Sequence, residues 1–144
     1  MERHDYILME IEKISVMLTG IFGRLTRMRE DMAIHARDAY ATAREMILDG
    51  CGLDLDVLLN TPAGDLEKML TRERGFNVAT MEKLAGLLPE LDNSTNTERG
   101  ILLRRKAIDL LEHINRQEKT YSMVREDMIR QIREQLKQAG EKDL

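Results

Sequence analysis

Apolar side chains recur at three- and four-residue intervals through most of this chain. Ile7, Ile11, Ile14, Leu18, Ile21, Phe22 and Leu25 form one such series, and Leu103, Ala107, Leu110, Leu111 and Ile114 another. Side chains at these spacings share one face of a helix, so each series predicts an amphipathic helix whose stripe must be buried against something else. Met32, Ala36, Ala39, Ala43 and Ile47 make a third stripe, and its alanines admit close approach of a neighbouring helix. A fourth, Val124, Met128, Ile132 and Leu136, predicts the inner face of the last helix.

Local signals divide these stripes into elements. The first helix is expected from Asp5 to Gly23 or somewhat beyond, and the second to Asp49, with Gly50 as its left-handed stop. In the middle of the chain, Asp54, Thr61-Pro62 and Asn77 each stand where a short helix would begin, because their side chains or the proline ring suit a helix start. Thr95 and Glu98 fit a capping box ahead of a long helix to about Arg116, and Ser122 is placed to cap the final one. The expected fold is therefore all-α, about seven helices in a single domain over residues 1–144. An N-terminal hairpin covers about 5–49, short helices lie within about 54–88, and a C-terminal hairpin covers about 97–139. The short helices are expected to connect and cover the two hairpins.

Composition narrows the classes of activity. A hydrophobic content of 42% is enough for a core, and 33% charged residues with a net charge of -4 fit a solvated helical surface rather than a polyelectrolyte. The middle third is acidic and the last third mildly basic, an asymmetry that would let one molecule dock on another. No run of roughly 18 apolar residues is present, so no membrane span is expected. The charged opening Met1-Glu2-Arg3-His4-Asp5 lacks the apolar block of a secretory signal, and a cytoplasmic location is expected. Ten methionines and an aromatic content of 3% predict a core of Leu, Ile, Met and Ala.

Asp5-Tyr6-Ile7-Leu8 opening a long helix, Gly52-Leu53-Asp54-Leu55-Asp56 after the second, and Tyr121-Ser122 before Arg125-Glu126-Asp127-Met128-Ile129 resemble a family of small bacterial helical proteins described as tetratricopeptide-like. The resemblance extends from about residue 5 to 136. It implies helical hairpins stacked as a tetratricopeptide-like array and brings no catalytic residue with it. The chain departs from a standard unit of about 34 residues in having no Trp, so the peptide-binding positions of true tetratricopeptide grooves do not carry over.

Little in the sequence reads as reactive chemistry. His35 shares a helix face with Asp31 and Asp38, a weak outline of a metal site, but the four ligands of a closed site are lacking and local ion pairing is the preferred reading. His113 beside Glu112 and Asp109 has the outline of a base with an orienting carboxylate, with no nucleophile in view. Cys51, the single cysteine, permits no internal disulfide and reads as a small packed hydrophobe. Arg104-Arg105-Lys106 and Arg130, Arg133 and Lys137 invite a nucleic-acid reading, yet consecutive helical residues diverge, acidic neighbours dilute the second group and aromatic platforms are missing. No glycine-rich phosphate loop occurs. The expectation is a non-enzymatic protein-interaction or scaffolding module without cofactor or metal, binding a protein or peptide. Tyr40, Arg44, Tyr121, Arg125 and Arg133 are the candidate contact residues, because Tyr and Arg dominate binding hot spots. A homodimer or other homo-oligomer is the first alternative, and weak nucleic-acid binding through the basic last third is the second.

Overall fold

The computed structural model describes residues 2–30 and 36–140. It is 81% helical, with seven α-helices and no strand among the described residues, so the chain is all-α. The helices are α1 (Arg3–Glu30), α2 (Ala36–Cys51), α3 (Leu55–Leu59), α4 (Leu66–Met69), α5 (Val78–Leu87), α6 (Glu98–Glu118) and α7 (Met123–Gln138). Short 3₁₀ turns at Ala63–Asp65, Arg72–Arg74 and Leu88–Leu91 link the middle pieces. No helix among the described residues is long and apolar enough to cross a membrane.

Several helix starts follow the caps expected from sequence. The Asp54 carboxylate accepts from the Asp56 amide at 2.9 Å, and the Ser122 hydroxyl accepts from the Arg125 amide at 3.3 Å. Asn77 and Thr80 exchange side-chain and main-chain bonds in a full capping box. Other boundaries differ. Helix α2 continues through Gly50 to Cys51, and the left-handed residue is Gly52, at φ +75°. Helix α6 is capped by Thr97, whose hydroxyl accepts from the Gly100 amide at 3.0 Å, two residues past the expected Thr95. Thr61 donates its hydroxyl to the Val57 carbonyl at 2.7 Å, closing α3, while Pro62 leads into a 3₁₀ turn before α4.

Helix α5 organises the packing. Met81, Leu84, Ala85 and Leu87 are all buried, and Leu88 just beyond them is buried too. A helix with this many buried apolar positions must be covered on more than one side, and α1 lies against one flank and α6 against another. The two hairpins are thus joined through α5, which stands between them rather than over them. Helix α2 runs back along α1: the Met17 sulfur lies 2.3 Å from where a Cβ on Gly50 would be. Helix α7 runs back along α6, with Asn115 bonded to Glu126 near one end and Arg104 to Gln135 near the other. The turn at Arg72–Arg74 closes on α1 through Gly75. Its φ of +94° and the Glu10 carbonyl oxygen 2.4 Å from its Cβ position both exclude a side chain there.

The core matches the expected stripe of α6 completely and that of α1 in part. Leu103, Ala107, Leu110, Leu111 and Ile114 are buried, as are Ile14, Leu18, Ile21 and Leu25, but Phe22 is 49% exposed. Of the expected stripe of α7, Ile132 and Leu136 are buried and Met128 packs half-buried against the core, but Val124 is exposed, and Arg125 and Ile129 complete the inward face. Methionine lies mostly at the edge of the core. Met81 is buried, Met17, Met46, Met69 and Met128 pack half-buried against it, and Met9 and Met123 are exposed.

Removing the Leu84 side chain of α5, which has no solvent exposure, would leave a cavity in the core. Leu84→Ala is expected to lower unfolding free energy by about 3 kcal/mol in urea titration, whereas Val16→Ala, on the outer face of α1, should change it by less than about 0.5 kcal/mol.

Candidate interaction groove

The residues expected to meet a partner occupy different environments. Tyr40 is 5% exposed. Its hydroxyl donates to Asp56 at 2.5 Å, and the Arg99 guanidinium lies over its ring at 4.5 Å from the centroid. Burial foremost, then the bond to Asp56, pushes the Tyr40 phenol well above its ordinary value. Arg44 pairs with Asp54 at 3.2 Å and with Asp56 at 3.0 Å, and the Arg44 hydrogen bond holds the Asp54 carboxyl below the usual carboxylate range. These residues fasten α2 to the start of α3, and Arg99 in turn pairs with buried Asp92 at 3.3 Å. Tyr40 and Arg44 therefore hold helices together.

Arg125 is also internal, at 4% exposure. It donates to Asn115 at 2.8 Å and to the Thr120 carbonyl at 3.1 Å, and pairs with Glu118 at 3.2 Å. Its guanidinium thus closes the α6–α7 turn. Arg133 pairs with Glu112 at 3.5 Å and has a buried Nε without an acceptor. Tyr121, with Met123 and Val124, is exposed at the start of α7.

Within the basic run of α6, Arg104 and Lys106 are turned inward, whereas Arg105 faces outward. Arg104 donates to the carbonyls of Asp92 and Gly100, each at 3.0 Å, and to the Gln135 side chain at 2.8 Å. Lys106 donates to the Thr61 carbonyl and pairs with Asp109 at 3.3 Å. Arg130 pairs with Asp127. The carboxylates nearest His113 in sequence are engaged elsewhere, Asp109 by Lys106 and Glu112 by Arg133. The grouping around His35 lies outside the described residues. Among the described residues no cluster of three or more His, Cys, Asp or Glu is placed to hold a metal. Cys51 donates to the Ile47 carbonyl at 3.3 Å, and burial raises its thiol pKa, which disfavours the reactive thiolate.

A different set of residues forms a groove along α1 and α5. Leu18, Thr19 and Phe22 line one wall, and Lys83 and Gly86, one turn apart on α5, line the other. The space measures about 260 Å³, below the range of about 300–1,000 Å³ usual for small-molecule pockets. Its floor and walls are largely apolar, and the Met128 methyl borders Gly86, 3.4 Å from where a Cβ would stand. Lys83 donates to the Ser15 hydroxyl at 2.7 Å and the Thr19 hydroxyl at 3.0 Å. Two larger clefts, of about 520 and 530 Å³, lie near Phe76 and Gln117 and near Asp54 and Lys68, with more polar linings.

The sequence places Phe22 and Met128 on buried helix stripes and assigns no role to Lys83 or Gly86. The available signal was Gly86, a glycine inside a helix, where it costs about 1 kcal/mol relative to alanine.

Two measurements follow from the buried polar contacts. Arg125→Ala would leave Glu118, Asn115 and the Thr120 carbonyl without their cation, and is expected to reduce stability by about 2–3 kcal/mol in urea titration, against less than about 0.5 kcal/mol for Tyr121→Ala. The folded-state pKa of Tyr40 is raised above its ordinary 10.0, so its stabilising contribution is complete below that pH and is lost as pH rises further. Ultraviolet titration of wild type against Tyr40→Phe should accordingly show no Tyr40 ionisation near pH 10, the difference emerging only with alkaline unfolding. No family model, curated protein or solved structure matches this chain, so a functional reading rests on the geometry of these residues.

Proposed function

We propose that this chain is a non-enzymatic protein-interaction module, a helical array of the tetratricopeptide-like kind that receives a peptide or helix of another protein in the groove between α1 and α5. The observation that carries the reading is Phe22, 49% exposed beside the apolar groove on an otherwise well-buried helix stripe. Apolar surface grouped in a concavity marks a contact site more often than scattered apolar side chains do. The antiparallel pairing of α1 with α2 and of α6 with α7 supports the array reading. The reading gives no chemical step to any residue of the chain.

Phe22→Asp places a charge at the groove while leaving the buried stripe intact. The immobilised chain is expected to recover from cell extract a partner that Phe22→Asp does not, with the circular dichroism of the two unchanged. Equal recovery by both would remove the groove from the interaction. A dimer measured by light scattering that becomes monomeric in Phe22→Asp would assign the groove to self-association instead.

A further inference from the structure

Lys83 differs from the other strongly held cations of this protein. Arg125, Arg99 and Lys106 each meet a carboxylate, and Arg104 meets a set of carbonyls. Lys83 meets two neutral hydroxyls on α1 and forms no ion pair among the described residues. An ammonium has three N–H donors. Two are taken by Ser15 and Thr19, which lie one helical turn apart and hold the head group at the rim of the groove. Its charge is therefore positioned but not neutralised.

Gly86 supplies an independent observation. Nothing forbids a side chain there: the nearest atom to a Cβ would be the flexible Met128 methyl, at the ordinary contact distance of 3.4 Å. Neither backbone angle nor close packing therefore accounts for a residue that weakens helix α5. What its missing side chain does is keep open the space between Phe22 and Lys83.

We infer that the groove takes a protein segment bearing a large apolar side chain with a carboxylate about one helical turn away, the apolar group resting between Phe22 and Gly86 and the carboxylate pairing with Lys83. The inference rests on the interaction reading above and adds the chemistry of the partner. A single oriented cation on apolar walls suits one carboxylate better than a polyphosphate backbone, which is held by several cations at once. Because the hydroxyls already restrain Lys83, less side-chain freedom is lost when the pair forms.

Selection from a displayed library of random 14-residue peptides on the immobilised full chain tests this directly. Enriched peptides are expected to combine a large apolar residue with Asp or Glu three or four positions away. Synthetic copies should bind roughly threefold more tightly than their Gln or Asn counterparts. That preference should fade with added salt, vanish in Lys83→Gln and reverse in Lys83→Glu, while Gly86→Leu should block all of these peptides. Enriched peptides that need Phe22 and an open Gly86 but show no acidic preference would overturn the inference and leave the interaction reading standing. Enrichment indifferent to Gly86→Leu, or no enrichment at all, would overturn it as well, with the interaction reading then decided by the Phe22→Asp recovery experiment.

Discussion

The need to cover α5 on both flanks governs this molecule. Met81, Leu84, Ala85, Leu87 and the following Leu88 are buried, leaving Glu82 and Lys83 as the charged side chains of the helix, and at ten residues it has little stability of its own. It exists because α1 and α6 enclose it, and those two helices are joined in turn through it. The amphipathic hairpins at either end of the chain each have one apolar stripe to bury, and α5 offers both a surface. The pieces between residues 52 and 76 then follow as the route by which the chain leaves α2 and enters α5.

The buried cations work by a second principle. Arg104, Lys106 and Arg125, each about one-twentieth exposed, bind main-chain carbonyls as well as side chains. Carbonyls at a loop or helix end need donors once water is excluded, and a guanidinium supplies several at once. Arg104 thereby gathers the loop from Pro89 to Gly100, and Arg125 the turn between α6 and α7. These side chains serve as internal solvent for irregular backbone.

Much of the secondary structure was legible because its causes are local. Asn77 and Thr80 lie three residues apart and cap α5 by contacts within that span, and the stripe of α6 repeats over enough turns to mark its buried face. The start of α7 was harder to place, since Val124 and Met128 continue the row of Ile132 and Leu136 as well as Ile129 does. What turns the helix is Arg125, whose partners lie on α6, in the turn before α7 and, at Glu82, on α5. The groove was hidden for a related reason: Phe22, Lys83 and Met128 are far apart in sequence, and no periodicity within one helix reveals which residue of another stands opposite. Tyr40 and Arg125 fit the composition of binding hot spots, but that preference does not distinguish a side chain that meets a partner from one that meets its own fold.

Lys106 ties the long helix α6 to the main chain at Thr61, across 45 positions of sequence, with its amine almost wholly enclosed. An enclosed amine is sheltered from acylating reagents that modify surface lysines such as Lys68, and it becomes reactive only when the segment around Thr61 parts from α6. The extent of acylation at this one position would thus act as a clock for local opening. It would report excursions that loosen the middle of the chain.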